Sequence, residues 1–167
     1  MSSLSVLART VDDTVALGRR LAAVLAPGDL VVLSGPLGAG KTALARGIGA
    51  GLAVEGAVTS PTFVIARVHR GGRLPMVHVD AYRLGDVRDP LGEVDALDLD
   101  ATLEDSVTLV EWGEGLVERL SDAHLEVRID RRDDDTRVLT LLPKGGDWST
   151  RLGGFDLIMP LAGLPKT

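Results

Sequence analysis

The 167-residue chain contains no cysteine, no asparagine and no glutamine. The first absence excludes disulfides and thiolate metal sites, and is silent about redox compartment. The second rules out the N-K-x-D sequence that reads guanine. The third rules out a glutamine that orients attacking water, as in the small GTPases. Lysine is scarce too, three against fifteen arginines. Basic charge is short overall: 18 Lys and Arg face 24 Asp and Glu, a net charge of −6. A protein that grips nucleic acid by itself neutralises phosphates, so any nucleic-acid role is expected to run indirectly, through a partner. No apolar run approaches the roughly 20 residues that span a bilayer, so no membrane role is expected. The opening Met1-Ser-Ser-Leu-Ser-Val6 lacks a basic segment followed by an apolar one, so no export signal is expected. What remains is a globular composition, 45% hydrophobic and 25% charged, of a length suited to one α/β domain.

The stretch that organises the chain is Gly35-Pro-Leu-Gly-Ala-Gly-Lys-Thr42, which fits G-x-x-x-x-G-K-S/T. The apolar run Leu30-Val-Val-Leu33 precedes it and Ala43-Leu-Ala-Arg-Gly-Ile48 follows as helix, giving the strand, glycine loop and helix that the pattern requires. Gly35, Gly38 and Gly40 allow backbone conformations that turn N–H groups inward around phosphate. The helix points its positive end at the same place. Lys41 brings a full charge to the β- and γ-phosphates, and Thr42 a hydroxyl to Mg²⁺. These residues predict a nucleoside triphosphate site. With no guanine-reading sequence it points away from GTP, and with no export signal it implies cytoplasm.

Along the chain, Leu4–Ala8 reads as a first strand. Thr10 with Asp13 three residues on reads as a helix start, and Val11, Val15, Gly18, Ala22 and Leu25 recur at helical spacing until Pro27-Gly-Asp29 stops the helix. The loop helix runs to about Leu52. Thr62–His69 and Leu74–Asp80 flank Arg70-Gly-Gly-Arg73 as a hairpin. Residues 84–105, acidic with recurring leucines, read as short helices and loops. Val107–Val110 is a buried strand leading into Glu111-Trp112-Gly113, and Glu114–Leu120 a helix. His124–Asp130 and Thr136–Leu142 flank an Asp-rich turn, a second hairpin expected at the sheet edge. The organisation predicted is a single domain over 1–142 and a C-terminal tail over 143–167.

A phosphate loop needs an acid near Mg²⁺, at the C-terminal end of a buried strand, where open α/β sheets bind ligands. Asp80 and Glu111 both qualify. His78, Asp80 and Tyr82 alternate and share a strand face if the backbone stays extended. Ser60-Pro-Thr-Phe63 follows the loop helix. It is either a segment that senses the γ-phosphate, with Thr62 offering a hydroxyl, or a plain turn begun by proline. Trp112 reads equally as core filler or as a half-exposed aromatic for nucleotide or partner. His69, His78 and His124 show no metal-site spacing and read as ordinary.

Taken together, Gly-Pro-Leu-Gly-Ala-Gly-Lys-Thr (35–42), Ser-Pro-Thr-Phe (60–63), His-Val-Asp-Ala-Tyr-Arg (78–83) and Val-Glu-Trp (110–112) closely resemble the bacterial TsaE family, formerly YjeE, over about residues 4–142. These are small ATPases of tRNA threonylcarbamoyladenosine biosynthesis. The resemblance implies a three-layer P-loop NTPase-like α/β fold with a mixed, mainly parallel central sheet and an antiparallel edge hairpin. It implies binding of ATP or ADP with Mg²⁺ and weak ATP hydrolysis. It also implies work with the TsaB–TsaD heterodimer, which modifies the adenosine next to the anticodon; the ATPase is thought to reset that complex, and tRNA is met only through it. Gly35, Gly38, Ala39, Gly40, Lys41, Thr42 and Ala43 would bind nucleotide. Thr42 and Glu111 would hold Mg²⁺, Asp80 would sit near the metal and attacking water, and Thr62 in the phosphate-sensing segment. Asp12 and Asp135 are the nearest equivalents of residues that cover the adenine in relatives. Pro36 and Gly113 depart from common family residues, and neither departure removes a ligand.

Two other readings compete. A small-molecule kinase with the same loop needs an acceptor pocket and usually an arginine-bearing lid, and the arginine-dense stretch Arg128–Arg137 falls in the hairpin expected at the sheet edge. A module holding ADP only structurally has no need of two acids.

Overall fold

The computed structural model describes residues 4–36, 38–56, 58, 66–80, 105–111 and 123–158. Ser60–Phe63, all of the segment 84–105 but its last residue, Trp112, Gly113 and the helix expected over 114–120 lie outside the described residues.

The described elements are β1 (Leu4–Ala8), α1 (Val11–Ala22), β2 (Leu30–Ser34), α2 (Lys41–Leu52), β3 (Ala66–His69), β4 (Met76–Asp80), β5 (Val107–Glu111), β6 (His124–Arg131), β7 (Arg137–Lys144) and α3 (Trp148–Ile158). The strands form one seven-stranded sheet in the order β1-β7-β6-β2-β5-β4-β3. Its middle is parallel: β6, β2, β5 and β4 all run the same way. β7 and β1 continue it antiparallel on one side, and β3 forms an antiparallel hairpin with β4 on the other. The expected mixed α/β fold, with its edge hairpin, is what the chain adopts. Every residue of β2 and β5 is buried, as continuous apolar runs at the centre of a parallel sheet should be.

The second hairpin is not at the rim. β1 pairs along the outer side of β7, from Leu4 opposite Leu141 to Ala8 opposite Arg137. Loop chemistry reveals that β6 and β7 pair, but not which strand lies beyond them.

α1 starts as its sequence predicts. Thr10 Oγ1 accepts from the Asp13 N–H at 3.1 Å, while Asp13 Oδ2 accepts from the Thr10 N–H at 3.2 Å, a reciprocal cap. Its end and its face differ from expectation. The helix stops at Ala22, and tighter turns carry the chain to Leu25, which is still buried. The buried face is Thr14, Leu17, Gly18, Leu21 and Ala22, whereas Val11 is 55% exposed. The larger apolar pair Leu17 and Leu21, one turn apart, sets the rotation and leaves Val11 outside the stripe.

That face lies on α2 with almost no spacing. A Cβ added to Gly18 would meet Leu44 O at 2.5 Å, and one added to Gly47 would meet Val15 O at 2.1 Å. Beyond residue 142, Trp148 and Leu152 of α3 join the core. Arg151 fastens α3 to the end of α1, donating to Val24 O at 3.0 Å and pairing with Asp29 at 2.6 and 2.9 Å. Its guanidinium also stands 4.0 Å from the Trp148 ring centroid. Among the described residues no helix is long and apolar enough to cross a membrane.

Candidate functional site

Buried β2 delivers the chain into the glycine loop. Gly35, Gly38 and Gly40 all have positive φ, at 146°, 80° and 116°. At Gly35 a side chain is also excluded by space, since a Cβ would come within 2.5 Å of Ile129 O on neighbouring β6. Gly40 is the N-cap of α2 in the left-handed conformation. It provides no side-chain cap, and the first turn carries no acid. The N–H groups that open a helix otherwise need such partners, so this end could receive an anion. Ala39 and Ala43 are buried beneath the loop and Thr42 is half-buried. Lys41 is buried, its Nζ donating to Gly35 O at 2.6 Å and Pro36 O at 3.1 Å. Its charge is thereby held at the loop itself.

The carboxylates arrive from the next strands. In the parallel register Leu33 of β2 lies beside Glu111 of β5, and Glu111 beside Asp80 of β4. Both acids therefore end their strands at the edge where β2 gives way to the loop, the ligand-binding edge of such sheets. Glu111 is 4% exposed. Its Oε2 lies 2.5 Å from Nε2 of His78, which is fully buried. A carboxylate only accepts, so Nε2–H donates. His78 had read as ordinary. Its alternation with Asp80 was visible in the sequence, but its reach to Glu111 depends on the β4–β5 register. His69 and His124 are also buried, and no cluster of metal-ligating residues occurs among the described residues. Burial lowers the pKa of His69, with His78 and Arg67 acting in the same direction.

The arginine-dense turn is a correction. Because β6 runs beside β2 and past Ser34, the β6–β7 turn abuts the glycine loop. Arg137 Nε donates to Ala39 O at 2.9 Å. Arg131 NH1 stands 4.0 Å from where a Gly38 Cβ would be. Asp135, itself at positive φ, takes two hydrogen bonds from Arg131, at 3.0 and 2.5 Å. Its carbonyl accepts one from Arg137. The Arg131 guanidinium holds the Asp135 carboxyl below the usual carboxylate range. On the other side of the loop, the Thr14 methyl lies 3.9 Å from a Cβ built on Gly40. Exposed Asp12 is two residues before Thr14, in the first turn of α1. Asp12 and Asp135 thus belong to the two elements that border the loop. Thr62 lies outside the described residues.

The donor set suits a Mg²⁺ nucleotide: an uncapped helix N-terminus for phosphate, a buried ammonium, a hydroxyl at Thr42 and a buried carboxylate at the adjoining strand end.

The family described as "Threonylcarbamoyl adenosine biosynthesis protein TsaE" matches residues 8–139. Proteins carrying the name tRNA threonylcarbamoyladenosine biosynthesis protein TsaE include one from Mycobacterium bovis, 60% identical over 136 residues, 78% of this chain and 81% of its own. One from Streptomyces coelicolor is 59% identical over 140 residues, 80% of this chain and 93% of its own. Among solved structures, that of YdiB from Bacillus subtilis superposes with a TM-score of 0.77 at 28% identity, over 94% of this chain and 96% of YdiB. The chain belongs to the TsaE family of tRNA threonylcarbamoyladenosine biosynthesis proteins.

Proposed function

We propose that the chain is a Mg²⁺-dependent ATPase that serves threonylcarbamoyladenosine formation as a switch, acting with the TsaB–TsaD heterodimer and meeting tRNA only through it. The observation that carries this reading is a positive-φ glycine loop, opening on an uncapped helix N-terminus, with buried Glu111 ending the adjoining strand and Asp80 ending the strand beyond it. The backbone N–H groups of Gly38–Ala43 would take the phosphates of ATP or ADP. Lys41, now on the carbonyls of Gly35 and Pro36, would turn its N–H groups to phosphate oxygens and keep its charge. Thr42 and Glu111 would hold Mg²⁺, which when bound neutralises phosphate charge and polarises the P–O bond. With no glutamine in the chain, water orientation falls to a carboxylate, and Asp80 is the one in register with Glu111.

The guanidinium groups beside the loop remove one argument against a kinase, the remoteness of arginine. Arg137 is nonetheless spent on main-chain carbonyls and Arg131 on Asp135, which suits a fixed border better than a closing lid.

The test is ATP hydrolysis by the purified chain, alone and with a TsaB–TsaD pair from the same organism. Slow turnover alone that rises with the pair is expected. Turnover indifferent to the pair overturns the switch, and phosphate transfer to a small acceptor would establish the kinase.

A further inference from the structure

Resting on that reading, we propose that His78 is a positioning residue for Glu111: its Nε2–H fixes the carboxylate in the orientation that serves Mg²⁺. His78 is fully buried in β4, between apolar Val77 and Val79. The hydrogen bond to Glu111 Oε2, at 2.5 Å, uses one ring nitrogen. The other, Nδ1, has no partner among the described residues. Burying a polar nitrogen unpaired is costly, and a leucine or methionine would fill similar space without that cost. Packing therefore does not explain a histidine here, whereas its single polar contact does.

The geometry of the sheet gives that contact a use. Glu111 closes its strand, so its backbone is held by β2 and β4, yet its side chain keeps three rotatable bonds. A carboxylate that must meet a small, strictly octahedral cation works best when its rotamer is already set. His78 supplies the constraint from two register positions back along β4, beside Leu109, while Asp80 stands beside Glu111 itself. One strand thus carries both the second acid and the donor that orients the first. Hydrogen-bond partners of metal-binding side chains commonly change affinity or activity by about 10- to 100-fold when removed.

The experiment compares His78→Leu, which fills space without a donor, with His78→Gln, whose amide N–H reaches about as far as Nε2. Binding of a non-hydrolysable ATP analogue is measured by calorimetry in EDTA and across a Mg²⁺ titration. In the leucine variant the analogue is expected to bind as in the unaltered chain without metal, while the Mg²⁺ needed for half its effect rises by about tenfold or more. The glutamine variant is expected to recover most of that loss. An unchanged Mg²⁺ requirement in His78→Leu overturns the proposal. So does an equal fall in both variants that extends to metal-free binding, because that marks a structural role. Should the leucine variant fail to fold, imidazole ¹⁵N spectra of the unaltered chain decide: the Nε2–H tautomer is expected, and the Nδ1–H tautomer overturns the assignment. If Mg²⁺ has no effect on analogue binding even in the unaltered chain, the ATPase reading falls with it. A response in the unaltered chain equal to that of His78→Leu removes only His78.

Discussion

On the proposed reading Lys41 serves the phosphates and Glu111 the metal, and substituting each should separate them. Lys41→Ala is expected to weaken nucleotide binding by tenfold or more with or without Mg²⁺, since it deletes a buried charge held at the phosphate loop. Glu111→Ala is expected to leave metal-free binding near its original value and to slow Mg²⁺-dependent hydrolysis by well over about tenfold. Calorimetry in EDTA beside a phosphate-release assay distinguishes the two, and equal losses in both assays for both variants would refute the division. Both residues could be located from sequence because each adjoins an unmistakable local pattern, a glycine loop or a buried apolar run. His78 and Arg137 could not. The contact of His78 with Glu111 spans 33 positions and that of Arg137 with Ala39 spans 98, so neither leaves a local trace. Both follow from which strands lie side by side.

At the level of elements, α1 and α2 cross with almost no tolerance. Alanine is a better helix former than glycine by up to about 1 kcal/mol, so Gly47→Ala judged on α2 alone should stabilise. The Cβ would stand 2.1 Å from the Val15 carbonyl oxygen, however, and backbone cannot yield as a side-chain tip can. A net loss of about 1–3 kcal/mol is expected, read as a lower midpoint in urea. Gly153→Ala in α3, with nothing among the described residues within 4 Å of its Cβ, is the control that should hold or gain stability. α2 was read from its place after the glycine loop and α1 from sequence periodicity. That periodicity misjudged the rotation of α1, where Val11 counts as apolar in the pattern but sits on the outside. A glycine among apolar residues likewise gives no sign whether it marks weakness or contact.

Over the whole molecule, the central strands were legible as the short, mainly apolar runs Leu30–Leu33 and Val107–Val110, their parallel arrangement only through the family resemblance, and the hairpins because their turns are rich in glycine or aspartate. The order of the flanking strands and the course of the chain past Lys144 were not, since Gly145-Gly146-Asp147 directs the backbone nowhere in particular. Long-range contacts decide it: Trp148 is 2% exposed and Arg151 reaches Asp29. The chain has two tryptophans, two phenylalanines and one tyrosine, so a buried indole is a large one of few aromatic side chains. Trp148→Ala is expected to cost about 3–5 kcal/mol. That is a substantial part of the roughly 5–15 kcal/mol that holds a domain together. Thermal unfolding followed by circular dichroism would register it, and an unchanged midpoint would show that α3 contributes little.

The pairing of β1 with β7 also has a consequence for synthesis. Leu4 finds its partner in Leu141 and Ala8 in Arg137. While the chain is being translated, β1 is complete long before the strand it needs exists, and it must wait with its hydrogen-bonding edges open. Closing so long a loop is slow, and an unpaired strand is the kind of surface on which nascent chains associate wrongly. Its short length, five residues, limits that exposure until β7 arrives to cover it.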